Sequence, residues 1–274
     1  MGLTLGAVVA LGTSCAPQAA TYDDAQFTPI FNGENFDGWY LKIRSGDAEL
    51  AKKVYAIEDG VIHVFNDSFP DKYMLGGDCA THGLFYTNKE YSRYILRFDY
   101  KWGKKIANNY NQFQYDAGCY YHVVDDAIWP IGVEYQVRYN DQTNTNHTGD
   151  YWIGQKTPKM DWYVQTIDGV QSFLPKCEGG VLAKYNIGER RALADAPFHG
   201  LDDQWNECEV IVMADEYSIH KLNGEVVNYG VNLGIGKGKI GLQSETGEIF
   251  YRNIRLLEFD ESIPMEHFLP KDQQ

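Results

Sequence analysis

The sequence predicts an all-β fold, a β-sandwich formed by a single domain, and three features of the chain support this. Apolar and charged residues alternate over 94–102, as in a strand with one buried face. Turn dipeptides such as Asp59-Gly60 and Asn223-Gly224 separate segments of this kind. Helical periodicity with capping residues is scarce. Many short strands separated by turn signals are typical of a sandwich, and 274 residues is an ordinary length for one.

The predicted strands follow from period-two patterning and from the turns that bound them. In chain order they are a hairpin over 53–65, strands at 84–87, 94–102, 117–124, 131–139, 162–167 and 205–213, a second hairpin over 216–229, and strands at 238–244 and 248–259. Two long segments, 140–161 and 168–204, are rich in Gly, Asn, Asp and Pro. They are predicted as loops, either binding loops or plain surface insertions.

The N-terminal segment resembles an export signal. Residues 3–14 form a short apolar run that ends in small residues before Cys15, which is typical of a bacterial lipoprotein cleavage site. The sequence therefore predicts a signal peptide over 1–14, lipidation of Cys15, a tether over 15–25 and an exported protein, periplasmic or on the outer membrane. A buried first strand is the alternative. The sandwich would then occupy residues 26–260, and 261–274 would form an irregular C-terminal strap.

Composition limits the classes of partner. The net charge is −14, and Lys and Arg do not cluster, so nucleic acid is a poor partner. Aromatic residues make up 14% of the chain, which suggests sugar binding, although filling of strands is the more ordinary interpretation. Cys119 and Cys208 lie in strand-like runs and are predicted to be buried thiols, with no disulfide required for folding.

The predicted strand 131–139 carries the most informative pattern. Its valines and tyrosines face one side, while Glu134, Gln136 and Arg138 face the other. Gln243 and Glu245 share one side of a later strand. Solvent exposure is one interpretation of the polar face. The other is a concave surface for a polyhydroxylated ligand, because carboxylate, amide and guanidinium groups match the donors and acceptors of vicinal hydroxyls.

A histidine on the neighbouring strand adds candidate acid–base chemistry. Tyr120 and His122 are predicted on one face, and if this strand pairs with 131–139, His122 lies near Glu134. A loop carrying His147 and Asp150 could fold over the same face. His122, Glu134 and Asp150 are therefore candidate ligands for a divalent cation, either calcium or a transition metal.

Familiar catalytic signatures are missing from the sequence. It contains no G-x-S-x-G, no P-loop and no Rossmann fingerprint. Glu134 is isolated in its strand, whereas ordinary glycosidases need two carboxyl groups on either side of the scissile bond. The strand pattern therefore disfavours an ordinary glycosidase.

A series of short segments over residues 27–259, in this order, resembles the 3-keto-disaccharide hydrolase family of Bacteroidetes. The segments are Phe31-Asn32-Gly33, Asp37-Gly38-Trp39, Glu58-Asp59-Gly60-Val61-Ile62, Leu84-Phe85-Tyr86-Thr87, Asp116-Ala117-Gly118, Tyr121-His122-Val123, Glu134-Tyr135-Gln136-Val137, Gly149-Asp150, Trp205-Asn206, Leu222-Asn223-Gly224, Ile240-Gly241-Leu242-Gln243-Ser244-Glu245 and Tyr251-Arg252-Asn253-Ile254. Many relatives carry Asn-Ser-Gly in place of Asp116-Ala117-Gly118.

The resemblance implies a concanavalin A-like jelly-roll sandwich that acts on glycosides oxidised to a ketone at C3. A base removes the C2 proton, the C1 substituent leaves, and water adds to give net hydrolysis. Glu134 and Gln136 match the family's Glu-x-Gln strand, and His122 and Asp150 match motifs of one subgroup. His122 or Glu134 is then the base, while a cation or Arg138 stabilises the enolate. A non-catalytic glycan-binding module and an ordinary glycosidase are the alternatives.

Overall fold

The computed structural model describes residues 20–73, 79–108, 115–154, 156–185, 187–193 and 196–270. The predicted signal peptide and Cys15 lie outside these residues and stay predictions. In chain order the described strands are β1 (Thr28–Pro29), β2 (Trp39–Ile43), β3 (Tyr55–Glu58), β4 (Val61–Val64), β5 (Gly83–Thr87), β6 (Arg93–Ile106), β7 (Tyr115–Val123), β8 (Val133–Asn140), β9 (Thr145–Asn146), β10 (Tyr151–Ile153), β11 (Met160–Ile167), β12 (Val170–Phe173), β13 (Val181–Tyr185), β14 (Gly188–Arg190), β15 (Asn206–Met213), β16 (Tyr217–Leu222), β17 (Glu225–Val231), β18 (Lys239–Ser244) and β19 (Gly247–Glu258).

The strands form two antiparallel sheets, which confirms the predicted jelly-roll sandwich. The larger sheet has eleven strands in the order β12-β11-β17-β16-β15-β6-β19-β4-β3, with β1 on β19 and β13 on β11. The smaller sheet has eight strands in the order β14-β10-β8-β7-β18-β5-β2, with β9 on β8. The predicted pairing of the 117–124 and 131–139 segments is therefore correct, since β7 and β8 are neighbours.

The hydrophobic core lies between the two sheets and is rich in large aromatic side chains. Tyr94, Phe98, Tyr135 and Tyr139 are buried there, as the alternating pattern predicted. The Cys119 and Cys208 side chains are fully buried in the same core. Because alternate residues of β7, β8 and β18 face the core, the polar residues that separate them in the sequence lie on the outer face of the smaller sheet.

One short helix and several strands depart from the predicted element list. The helix α1 (Ala48–Val54) begins where the Asp47 carboxylate accepts the amides of Glu49 and Leu50, at 2.9 and 3.0 Å. The segments predicted as loops, 140–161 and 168–204, contain β9 and β10 and then β12, β13 and β14. The loop prediction is wrong for these short strands, which lie at the sheet margins or pair outside the main strand order.

Residues 20–25, predicted as part of a tether, pack against the C-terminal segment. The Ala20 amide donates to the His267 carbonyl at 2.8 Å, and the Tyr22 ring contacts Phe259 and Phe268. Short 3₁₀ helices occur at Asp24–Gln26, Lys176–Glu178 and Met265–His267. Among the described residues, no helix has the length and apolar character needed to cross a bilayer.

Candidate active site

An open cavity of about 450 Å³ lies on the outer face of the smaller sheet. That volume falls within the range of ordinary small-molecule sites. The residues along its wall are Asp116, Tyr120, Trp129, Pro130, Glu134, Gln136, Arg138, Trp152, Gly154, Ile187, Gln243 and Glu245. The strand pattern predicted seven residues for substrate binding or for base chemistry. Six of them line this cavity, namely Tyr120, Glu134, Gln136, Arg138, Gln243 and Glu245, and the seventh, His122, does not.

The register between β7 and β8 forms the floor of this cavity. Alternate residues of the two strands lie opposite one another on the outer face, and the pairs are Asp116–Arg138, Gly118–Gln136 and Tyr120–Glu134. On the other side of β7, Leu242 of β18 pairs with Cys119 and faces the core, so the next residue, Gln243, faces the cavity. The period-two pattern of three adjacent strands is thus sufficient to assemble the site.

Gly118 provides the space in which the central side chains meet. A Cβ atom at this position would lie 2.0 Å from Glu134 Oε1 and 2.7 Å from Gln243 Oε1. Both distances are far below van der Waals contact, so any side chain here would displace the carboxylate and the amide. The absence of a side chain at Gly118 is what allows Glu134 to lie flat across β7.

Glu134 is buried, and its carboxyl group accepts a hydrogen bond from the Tyr120 hydroxyl. Burial raises the pKa of Glu134 to about 8, and the nearby Asp116 carboxyl adds to the increase, while the Tyr120 hydrogen bond opposes it. A carboxyl group with this pKa is only partly ionised near neutral pH. It can therefore act as a proton acceptor of unusual strength for a glutamate.

Asp116 is held by the two residues that follow Glu134 on the cavity face of β8. The Gln136 Nε2 donates to Asp116 Oδ1 at 2.7 Å, and an Arg138 nitrogen lies 3.7 Å from Asp116 Oδ2. Burial raises the pKa of Asp116 to about 7, although the Arg138 charge works in the opposite direction. Burial alone would lower the pKa of Arg138, but the nearby carboxylates of Asp116 and Glu189 have the larger effect and raise it.

A third carboxyl group, that of Glu245, completes the ionisable part of the wall. Burial raises the pKa of Glu245 well above its usual range, and the charges of Asp116 and Glu134 raise it further. His82 Nε2 lies 3.7 Å from Glu245 Oε1, and burial lowers the pKa of His82 to about 3, so this imidazole is neutral. Three buried carboxyl groups around one guanidinium cannot all ionise together, so the cavity holds exchangeable protons at neutral pH.

Gln243 presents a hydrogen-bond acceptor to the cavity. Its side chain is almost fully buried, and its Oε1 atom has no hydrogen-bond partner within the described part of the chain. A buried amide oxygen without a partner is costly in a folded protein. A ligand hydroxyl that donates to this oxygen would remove that cost.

The mouth of the cavity is apolar. Trp129, in the loop between β7 and β8, and Ile187 beside β14 are exposed there, Trp152 of β10 is half-buried, and Pro130 is buried next to Trp129. The segments that were predicted as binding loops or insertions therefore do contribute to the cavity, through Trp152, Gly154 and Ile187.

The structure contradicts the prediction that His122 shares a face with Tyr120. The pairing of β7 with β18 shifts register between Lys239 and Gly241, which leaves an extra residue in β7, and His122 adopts a left-handed backbone with φ of 52°. Its ring is fully buried, with Nδ1 2.6 Å from the Ile235 carbonyl and Nε2 3.3 Å from the Ser92 carbonyl. Burial lowers the pKa of His122. The described cavity wall does not include this side chain.

The predicted metal set of His122, Glu134 and Asp150 is consequently wrong as a set. Asp150 instead lies beside His147 and Glu189, and one ligand atom from each of these three lies within 4.8 Å of the others. Asp150 is buried, and its Oδ1 accepts the Ala192 amide at 2.6 Å.

Two guanidinium groups already neutralise the cluster formed by His147, Asp150 and Glu189. Arg191 contacts His147 and lies 3.2 Å from Asp150 Oδ2, and Arg138 pairs with Glu189. Calcium binds carboxylates, and transition metals bind imidazole and carboxylate groups. An ion at this cluster would compete with the positive charges of Arg138 and Arg191. The arrangement connects Arg138 of the cavity to a network of charged side chains that are buried or partly buried.

Sequence reasoning missed several residues of the site. Asp116 occurs in a recognised motif and shares the period of Tyr120, so the alternation of β7 contained the signal that was needed. Trp129 and Ile187 lie in irregular segments where no periodicity applies, and Glu189 approaches Arg138 only because β14 pairs with β10.

Comparison with known families gives a direct match. A sequence model of the 3-keto-alpha-glucoside-1,2-lyase-like domain matches residues 26–257. The chain belongs to this family. The resemblance stated from the motif series is thereby confirmed, and the match covers β1 to β18 and nearly all of β19.

Solved structures are similar to this 3-keto-alpha-glucoside-1,2-lyase-like domain, and the one with a TM-score of 0.51 supports the fold. Two candidate glycosyl hydrolases from Parabacteroides distasonis ATCC 8503 are similar to it. One shares 15% identity with a TM-score of 0.51 and covers 85% of this chain and 99% of its own. The other shares 20% identity with a TM-score of 0.49 and covers 89% of this chain and 100% of its own. No curated protein matches the chain significantly. Family membership supports a carbohydrate-acting, enzyme-like domain.

Proposed function

We propose that this protein cleaves 3-keto-glycosides by removing the C2 proton, eliminating the C1 substituent and adding water to the product. The observation that carries the proposal is the buried Glu134 carboxyl, with its raised pKa, in a cavity that also holds proton donors. The family to which the chain belongs supplies the substrate class. A ketone at C3 makes the C2 proton acidic, so one base and one acid are enough for the elimination.

Glu134 is the proposed base. It is the carboxyl group nearest to the open floor above Gly118, and Tyr120 holds it in one orientation through a hydrogen bond. A carboxylate whose conjugate acid has a pKa of about 8 is a stronger base than an exposed glutamate and is still ionised in part at neutral pH. After proton transfer the charge lies on the C3 oxygen as an enolate, within the field of the Arg138 guanidinium.

Glu245 is the proposed acid that protonates the departing C1 substituent. Burial raises its pKa and so favours its protonated form, and it lines the same cavity as Glu134. Asp116 is less suited to this role because Gln136 and Arg138 fix it as their hydrogen-bond and ion-pair partner. The Gln243 amide oxygen is left to accept a hydroxyl of the sugar.

The proposal is tested with 4-nitrophenyl 3-keto-α-glucoside in D₂O. We expect release of 4-nitrophenol, with deuterium at C2 of the sugar product at early times, because hydration returns a solvent proton to that carbon. Glu134→Gln should lower kcat/KM by about 100- to 10,000-fold, the usual effect of losing a positioned base. Glu225→Gln, the same change at an exposed position of β17, is the matched control and should behave as wild type. Wild-type turnover without C2 exchange would contradict the elimination mechanism.

An ordinary glycosidase is the second candidate, and one observation favours it. The sequence suggested that Glu134 was isolated, but Asp116 and Glu245 line the same cavity, so the carboxyl groups required for direct hydrolysis are present. Unoxidised 4-nitrophenyl α-glucoside separates the two. Turnover of this substrate, at a rate matching the keto-sugar, would favour direct hydrolysis, and binding of sugar without turnover of either would favour a glycan-binding module.

A further inference from the structure

Trp129 is a large apolar side chain left open to solvent at the mouth of the cavity. Its exposed fraction is 51%, whereas most of the tryptophans in the described chain are buried or half-buried. An exposed tryptophan at the rim of a polar cavity is a recognised kind of contact surface, because covering it with another flat group removes apolar area from water.

The Trp129 ring is held in place before any ligand arrives. Its loop is fixed by the Tyr86 hydroxyl, which donates to the Ala127 carbonyl at 2.7 Å, and by the Ile131 amide, which donates to Asp125 at 2.9 Å. The Arg44 guanidinium lies 4.5 Å from the indole centroid.

His82 fixes the same ring from a second direction. The His82 ring meets the indole nearly perpendicularly, at 83° and 4.7 Å between centroids. Because His82 also lies 3.7 Å from Glu245, one buried imidazole positions both the rim and the proposed acid. A preorganised aromatic surface loses little conformational entropy when it binds a ligand.

The cavity is divided by polarity. The carboxyl, amide and guanidinium groups of its wall are buried, while the least buried residues of the wall are apolar: Trp129, Trp152 and Ile187. The sheet closes the inner end, so the room for a bulky C1 substituent of a sugar bound at Glu134 lies on the side that opens to solvent. A leaving group on that side would contact indole and isoleucine side chains.

We propose that this apolar rim is a leaving-group subsite for a planar aromatic aglycone, with Trp129 as its specificity-determining residue. A second sugar ring would need partners for its hydroxyl groups, and the three apolar side chains of the rim offer only two indole N–H groups. An aromatic aglycone needs none and buries its faces against these side chains. The leaving-group role rests on the proposed function, whereas the binding preference can be measured without any reaction.

The test uses isothermal titration of the full chain with three unoxidised probes: 4-nitrophenyl α-glucoside, methyl α-glucoside and maltose. We expect the aryl glucoside to bind about 10- to 100-fold more tightly than the methyl glucoside, and maltose to resemble the methyl glucoside. Trp129→Ala should remove most of this difference, so that the aryl and methyl glucosides bind with similar affinity.

Two further variants control for folding and for tryptophan loss in general. Trp129→Phe keeps an aromatic plane and should retain most of the aryl preference. Trp205→Ala removes an indole that stacks on Arg252 at 3.8 Å in the larger sheet, and it should not alter the preference.

The outcomes separate this inference from the proposed function. Equal binding of the aryl and methyl glucosides, an equal gain for maltose, or an aryl preference unchanged in Trp129→Ala would each overturn the subsite. A Trp129-dependent aryl preference in a protein that turns over no 3-keto-glycoside would support the subsite and reject the proposed reaction.

Discussion

Replacing Gly118 with alanine tests whether Glu134 must lie where the structure places it. The new Cβ would be 2.0 Å from Glu134 Oε1, whereas ordinary contact begins at 3.4 Å, so the oxygen must move by about 1.4 Å. Gln243 Oε1, at 2.7 Å, must move as well. A misplacement of about 1 Å costs roughly 100-fold in rate, which corresponds to about 2.7 kcal/mol of transition-state stabilisation. The displaced atoms are the ends of flexible side chains, so the change in unfolding free energy should be small.

The assay compares kcat/KM for 4-nitrophenyl 3-keto-α-glucoside with urea unfolding followed by tryptophan fluorescence. We expect Gly118→Ala to lose about 100-fold in kcat/KM and about 1 kcal/mol or less in stability. Gly236→Ala is the control, because its Cβ would meet atoms only at 3.5 Å or more and lies away from the cavity. If Gly118→Ala kept more than about a third of wild-type kcat/KM, the argument that places the chemistry at Glu134 would fail.

Three further predictions follow from the buried ionisable groups. Because burial raises the folded-state pKa of Glu134 from 4.5 to about 8, wild-type stability should fall across that pH window as the unfolded carboxyl ionises. Glu134→Gln should therefore be more stable than wild type by an amount that grows from pH 4.5 to 8, by about 1.4 kcal/mol per pH unit at most; an equal difference at both pH values in urea titrations would contradict the pKa. His122→Ala should lose about 2–4 kcal/mol of stability but less than about tenfold in kcat/KM, and a larger kinetic loss would restore His122 as a catalytic residue. Dialysis against EDTA should leave kcat/KM unchanged, because guanidinium groups neutralise His147, Asp150 and Glu189; a loss reversed by one divalent metal would show that an ion replaces them.

Much of the floor of the site could be predicted from period two alone. Once β7 and β8 pair as antiparallel neighbours, alternation puts Tyr120 opposite Glu134 and turns both away from the core. The same rule places Gln243 on the cavity side of β18. These predictions succeed because a strand with one buried face has no freedom to exchange its faces without exposing its core residues.

The rule that strand residues alternate between two faces fails at His122. Two residues separate it from Tyr120, so strict alternation puts both on one face, but the bulge opposite Ile240 adds a residue and reverses the face. Such a bulge cannot be recognised from the sequence when the residue with positive φ is not glycine. The rim residues were not predicted for another reason. The loop of Trp129 is anchored by Tyr86, far away in the chain, and Ile187 lies beside β14, whose position is set by its pairing with β10.

The combined protonation of the three carboxyl groups in the cavity, more than that of any one residue, should set the pH range in which the protein is active. The Asp116 charge raises the pKa of Glu134, the charges of Asp116 and Glu134 both raise the pKa of Glu245, and Arg138 works in the opposite direction on all three. Deprotonating Glu134 for its role as base therefore makes it harder to deprotonate Glu245, which keeps the acid protonated while the base is charged. Burial of this group is unfavourable for folding because the carboxyl groups would ionise freely in the unfolded chain. The same burial makes one carboxyl a base and another an acid near neutral pH, so the cost in stability and the proposed catalytic competence have one physical origin.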